Sequence, residues 1–511
     1  MGTLGKTIAL VLVSAFLISL VSFSSVTVKA SPKTITVPTD YPTISAAIGN
    51  ASSGDTIIVK SGTYSEQTLE INKTLSIISE IPYQAIILLH PPSHLVSSLG
   101  GGYLTEYDDS MIIQADNVKF SGFEVLIVGG DVSVNGSQIQ ITNNTFATQG
   151  PQLIQVDVSG NGSQVIGNSL PTLATNGYNE LAINGYNQTA TDNTAWISVS
   201  GSFNDISRNY GPGIALTGSN NTITGNAIPS GLGAVGIQME KADYNIISNN
   251  TEIGANVGIG IGYPYSPGGS YNVFSGNIVE GAKLWGILVS NGSSNVFYGN
   301  LIANNIGEGH DGFGLALGGT AENNLFYNNA FVNNSYNFGG NWQVTGLNSF
   351  DNGTVGNYWD DYLTKYPSAA EVDHSGIGDT PYQVYPNCND NYPLLGAPDI
   401  SKLIPTLHIP WAQTLPPDSF PSPSPSPTNP PASTTNPQAS PTNPITSSTD
   451  PPSVNPTTSP NATTAPHPAL TATPAAPEFP PLALLPLFLS MLSVAIILRH
   501  RKTNSNLVKK V

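Results

Sequence analysis

Charged residues make up only 10% of this 511-residue chain, so the side chains equipped for chemistry are few and easy to locate. Glu308, His310 and Asp311 fall together in the segment Gly307-Glu-Gly-His-Asp-Gly312. An imidazole that titrates near neutral pH beside two carboxylates is the minimum needed for general acid and base steps, so these three are the catalytic candidates. A glycine-rich corner that only lengthens a loop accounts for the same residues. Asp360, Asp361, Asp373 and Asp379 supply the hard oxygen ligands that calcium takes. They could hold a calcium ion, no cofactor is required, and a capping role in a shared terminal motif explains them as well. Tyr263, Tyr265 and Tyr271 lie in the stretch Gly262-Tyr-Pro-Tyr-Ser-Pro-Gly-Gly-Ser-Tyr271, with Trp285 one strand later. Flat aromatic faces with a polar edge suit sugar rings, although loop aromatics also pack on their own backbone. Arg208, the sole arginine between residues 31 and 498, reads as a solvated turn residue.

What must position these groups is a repeat. Asn221-Thr-Ile223-Thr-Gly-Asn226 returns as Asn245-Ile-Ile247-Ser-Asn-Asn250, Asn272-Val-Phe274-Ser-Gly-Asn277, Asn295-Val-Phe297-Tyr-Gly-Asn300 and Asn324-Leu-Phe326-Tyr-Asn-Asn329. Looser copies end at Asn144, Asn168 and Asn209. Each unit carries a short alternation of apolar and polar residues with no helical periodicity, which reads as brief strands joined by tight turns. Such a unit buries its apolar side only by stacking on copies of itself. The prediction is an all-β fold, a right-handed parallel β-helix, with Asn226, Asn250, Asn277, Asn300 and Asn329 at one corner forming an amide ladder between coils. Asn also tolerates left-handed backbone, a second reason for it at a corner. Ile35 to Asn352 leaves room for about 12 or 13 coils, a stack about 60 Å long. Thr39-Asp-Tyr-Pro-Thr-Ile44 with Ala47, Ile48 and Ala51 predicts a short helix capping the open end. The stretch from Pro82 to Met111 fits no coil and reads as a lateral loop.

The ends imply a route to the cell exterior. Residues 1–30 have the basic, apolar and small-residue layout of a secretory signal. The β-helix occupies 31–400, with a closing module at about 350–396. Residues 401–478 are rich in Pro, Ser and Thr and cannot bury a core, so they form a disordered stalk. Residues 479–502 join an apolar run to Arg499-His-Arg-Lys502, which suits one transmembrane helix or a sorting signal, with 503–511 as a cytoplasmic tail. Cys388 is the only cysteine, so no intrachain disulfide framework exists. A net charge of −17 excludes nucleic acid as a partner, since phosphate binding needs a basic footprint. Sequons such as Asn72, Asn135, Asn161, Asn187, Asn291 and Asn461 offer acceptors for glycosylation.

Two segments are more specific than the repeat. Val37-Pro-Thr-Asp-Tyr41 through Gly62-Thr-Tyr64 resembles the opening of many extracellular β-helix proteins. Asn357-Tyr-Trp-Asp-Asp-Tyr362, Gly376-Ile-Gly-Asp-Thr-Pro-Tyr382 and Asp390-Asn-Tyr-Pro-Leu394 resemble the closing module of the NosD family. Pro477-Glu-Phe479 before the apolar run is similar to the PEF-type sorting signals of archaeal surface proteins. The resemblance implies β-helix repeats of the carbohydrate-binding and sugar-hydrolysis type. A surface-anchored ectodomain that binds polysaccharide or another envelope glycan, or serves as an adhesion module, is the expectation, with the membrane as partner through the anchor. The alternatives are a polysaccharide lyase or glycoside hydrolase, and a NosD-like periplasmic copper-handling factor. Soft copper sites need clustered Met, Cys or His, and Met111, Met239, Cys388, His90, His94, His310, His374 and His408 show no ligand spacing.

Overall fold

The computed structural model describes residues 31–398 apart from 98–102, 150–151, 172–176, 230–234, 263–265, 308–311 and 340–345. All of these fall in one compact unit, Met1–Phe420. The expected signal segment, stalk, anchor and tail lie outside the described residues, and among the described residues no helix is long and apolar enough to cross a membrane.

Most coils run through three strands that pair in parallel with those of the coils before and after, as a β-helix requires. Sheet 1 has 13 strands, from Thr34–Val37 to Leu325–Tyr327. Sheet 2 has 12, from Leu69–Ile71 to Tyr336–Gly339. Sheet 3 comes in stretches of four and six strands, joined by single bridges at Ser169, Thr194 and Tyr210. From Thr194 through Tyr210 to Ala227 these bridges span short coils, in which successive ladder asparagines stand 16 or 17 residues apart instead of 23 to 29. The predicted number of coils is borne out.

Period-2 alternation puts the middle residue of each sheet 1 strand inside, from Ile57 to Phe326, in register with its neighbours. Stacking at one-coil spacing lets identical rings lie face to face: Phe274 on Phe297 at 4.4 Å and Phe297 on Phe326 at 4.5 Å. Sheets 2 and 3 approach closely because a glycine recurs in sheet 2. A Cβ on Gly258 would come within 2.3 Å of Val279, and one on Gly236 within 2.3 Å of Glu252.

The asparagine ladder exists and is buried. From Asn144 to Asn357, each backbone N–H donates to the Oδ1 of the asparagine one coil on, as from Asn226 to Asn250 at 3.0 Å and from Asn329 to Asn357 at 3.2 Å. Each Nδ2 donates to that same oxygen and to a carbonyl of the preceding coil, as Asn277 does to Asn300 and Ile247. A second ladder runs from Asn204 to Asn348 at the next corner. One reason given for asparagine is corrected here. From Asn144 to Asn329 the left-handed residue is the one before the ladder asparagine, such as Asn249 (φ 53°) or Gly276 (φ 65°). Asparagine is selected at the ladder position for its amide.

Both ends are closed. Helix Ile44–Asn50 buries Ile44, Ala47 and Ile48, with Thr43 as its N-cap. Glu66 accepts from Ile44 N at 2.8 Å at the helix start, and Lys73 Nζ donates to the carbonyls of Ile48, Gly49 and Ala51 at its end. At the other end Asp390 takes the place of the next asparagine, accepting from Asn357 N at 2.7 Å and Trp359 Nε1 at 2.9 Å. A carboxylate has only acceptors, which is what a chain of forward-donating amides needs as its last member. Between Pro82 and Met111 the expectation holds in part. Ser93–Ser97 and Tyr103–Tyr107 form a separate antiparallel hairpin, but Ala85–Leu89 is an in-register strand of sheet 3. Its alternation of buried Ala85, Ile87 and Leu89 is hidden in an all-apolar run.

Candidate functional site on the outer faces of the coils

With the interior filled, any site must use residues that point outward or occupy the corners. Glu308, His310, Asp311, Tyr263 and Tyr265 lie outside the described residues. Tyr271 sits at the corner between sheets 2 and 1, 53% exposed, and its ring stacks on Tyr244 at 4.9 Å with the planes 5° apart. Trp285 opens the sheet 2 strand Trp285–Val289 and packs against a small cluster of Val235, Val257, Leu288 and Ala316. It stands at the opposite end of sheet 2 from Tyr271, so the two are not brought together.

Three of the four aspartates, Asp360, Asp361 and Asp379, act as acceptors within the closing module. Asp360 and Asp361 each accept from Asn337 Nδ2, at 2.7 and 3.0 Å, and Asp361 also accepts from the Tyr382 hydroxyl at 3.0 Å. Burial, with Asp361 beside it, raises the Tyr382 pKa. Asp379 accepts from Ala370 N, which lowers its carboxyl pKa, while Asp373 lies in a left-handed turn. Among the described residues no group of three or more His, Cys, Asp or Glu could hold a metal ion. A copper site fits no better there. Met111 and Met239 are sealed in the core, the Cys388 thiol donates to Asn348 O, and His94 lies beside Glu106 and Asp108 on the hairpin.

Two features were not read from the sequence. The first is a column of corner residues, one before each asparagine of the second ladder from Asn204 to Asn324: Phe203, Asn220, Tyr244, Tyr271, Ser294 and Asn323, with φ between 56° and 62°. Phe203 and Tyr244 are 59% and 57% exposed. Their signal was present as the residue preceding each opening Asn of the repeat. The second is Glu252, whose place in the inward column between Ile228 and Val279 buries it. Its Oε1 accepts from Ala255 N, its Oε2 has no partner, and burial raises its pKa to about 7. Arg208 is a corner residue whose guanidinium pairs with Asp192 one coil earlier at 2.9 and 2.8 Å. The ladder asparagines are buried with their hydrogen bonds already used, so they offer no amides to a ligand.

Comparison with known proteins places these coils. The family model described as "Periplasmic copper-binding protein (NosD)" matches residues 127–364. No curated protein matches the chain. Among solved structures, the A-module of the Azotobacter vinelandii mannuronan C-5 epimerase AlgE6 aligns with TM-score 0.44 and 12% identity over 60% of this chain and 92% of that one. A mannuronic acid specific polysaccharide family 6 lyase from human gut microbiota aligns with TM-score 0.41 and 16% identity, over 64% and 86% of the two chains. The family 28 exopolygalacturonase of Yersinia enterocolitica gives 0.35 and 10%, over 62% and 78%. These scores carry no argument about activity. Over residues 127–364, where the ladders lie, the chain is a parallel β-helix that matches the NosD family model.

Proposed function

We propose that the β-helix is a polysaccharide-binding ectodomain outside the cytoplasm, tethered through residues 479–502 on the stalk 401–478. The observation that carries this is the corner column. A left-handed backbone costs a residue with a Cβ about 1–2 kcal/mol, and bulky side chains rarely accept it. Asparagine fills the column at Asn187, Asn220 and Asn323, yet Phe203, Tyr244 and Tyr271 hold exposed rings there at φ of 62°, 58° and 60°. Backbone strain kept for exposed aromatics points to a contact made by those rings. Parallel phenol faces one coil apart form a platform for successive sugar rings, with the hydroxyls at its edge for polar contacts. A place outside the cytoplasm agrees with the periplasmic description of the matched family.

The test is an immobilised glycan panel with the protein and its Tyr244→Asn/Tyr271→Asn double variant, combined with analysis of the eluate for reducing ends and unsaturated sugars. Retention of at least one polymer by the parent and its loss in the variant supports the reading. No retention, or equal retention by both, refutes it. New chain ends that vanish in a His310→Ala/Asp311→Asn variant would make the protein an enzyme instead.

A further inference from the structure

We infer that the outer face of sheet 1 beside the corner tyrosines is a binding trough for an uncharged polysaccharide, a neutral hexopyranose polymer and not a uronate. This rests on the polysaccharide-binding reading and deepens it by naming the ligand class and a second contact surface.

Ile246, Ser248, Val273, Ser275 and Tyr298 line an open groove of about 330 Å³, with Asn249 at its corner. They occupy two outward columns set by the parallel register. One runs through Thr222, Ile246, Val273, Val296 and Leu325, and the other through Thr224, Ser248, Ser275, Tyr298 and Tyr327. The first column is apolar from Ile246 onward, and Ile246 itself is 47% exposed. The second is a hydroxyl stripe that ends in two stacked tyrosines, Tyr298 on Tyr327 at 5.5 Å with planes 14° apart. Within the stripe Thr224 and Ser248 share a hydrogen bond of 3.0 Å. At one flank stands the Tyr244–Tyr271 pair, two residues before Ile246 and Val273. At the other, Asn249 lays its amide over Gly276, where an added Cβ would come within 2.4 Å of Oδ1. From Ile246 to Tyr327 each coil thus sets one apolar side chain beside a hydroxyl, with a tyrosine at the corner in two coils (Tyr244, Tyr271) and in the stripe in the next two (Tyr298, Tyr327), a recurrence that suits a polymer of repeating rings.

Charge decides the class. The chain carries a net charge of −17, and a second outer face, near Asp131, gathers Asp109, Asp157 and Glu180. Against that background the two outward columns from Thr222 to Tyr327 and the corner residues flanking them, from Asn220 to Asn323 and from Gly225 to Asn328, contain no Asp, Glu, Lys, Arg or His. A uronate would enter without a cation to meet it, in the field of an acidic protein. A neutral pyranose needs only ring faces, hydroxyls and amides, and these are what the trough offers.

The experiment measures binding of the protein to dextran, mannan and a β-glucan, and to alginate and polygalacturonate, at low and high salt. Variants are Tyr298→Ser and Val273→Asp, both outward substitutions, with thermal melting as the folding control. The expected result is binding to at least one neutral polymer with an affinity insensitive to salt, weakened about tenfold or more by either variant at unchanged melting temperature. Tighter binding to a uronate than to any neutral polymer overturns the ligand class while leaving polysaccharide binding intact. Neutral binding lost in Tyr244→Asn/Tyr271→Asn but untouched by Tyr298→Ser and Val273→Asp overturns the trough. Binding to none of the five overturns both.

Discussion

Asn277 shows what one residue contributes here. Its Oδ1 takes the N–H and the amide of Asn250, and its own amide serves Asn300 and the Ile247 carbonyl, all in the interior. Asn277→Ala leaves two donors and a carbonyl buried without partners, so it should destabilise the protein by roughly 3–5 kcal/mol in chemical denaturation. Glu252 makes the opposite case. Its folded pKa, raised to about 7, exceeds that of the unfolded chain, so its contribution is present at acid pH and disappears as pH climbs through 7. From this group alone the loss amounts to about 3 kcal/mol. The neutral isostere Glu252→Gln should lose less stability between pH 5 and pH 8 than the parent does; an identical slope in both proteins would rule out the assignment. The ladder was legible because Asn recurs at a fixed offset from an apolar residue. Glu252 was not, since in Thr251-Glu-Ile253 alternation alone would send Ile253 inward. The ladder bonds of Asn250 set the register instead, burying Glu252 and leaving Ile253 45% exposed.

At the scale of the element, the corner and the strand serve different needs. Corner residues outside the second ladder pack little, so their identity is free to serve backbone strain or a ligand. Tyr244→Asn relieves about 1–2 kcal/mol of strain and gives up about 0.5–1.5 kcal/mol of stacking on Tyr271, so it should leave thermal stability unchanged or slightly raised while reducing glycan retention. A variant that loses both would show the ring to be a packing residue. Strand glycines obey packing instead. In Val257-Gly-Ile259 and its copies Val235-Gly-Ile237, Trp285-Gly-Ile287 and Phe313-Gly-Leu315, the middle residue lets sheet 3 rest on bare backbone. Gly258→Val should prevent the coil from closing, with little soluble protein produced. This second repeat was open to reading beside the asparagines. Trp285 belongs to it, which explains why that ring packs against the coil stack and does not join Tyr271.

For the whole β-helix, coil number, strand order, the capping helix and the closing module all follow from one repeated unit and its two interrupted ends. What the sequence could not convey is which outward columns fall side by side, because coils of 16 to 29 residues shift the spacing between partners. Tyr298 and Tyr244 are 54 residues apart and border the same trough only once the register is known. Aromatic rings and hydroxyls on sheet 1, acids on sheet 2 and a sealed core make a surface divided by chemistry, with the neutral side best fitted to sugar. The direct test is hydroxyl-radical footprinting of the protein with and without its retained glycan. Protection should concentrate at Tyr244, Tyr271, Tyr298 and Tyr327. Protection confined to Trp285 and residues 308–311, with those four tyrosines equally reactive in both samples, would contradict the account.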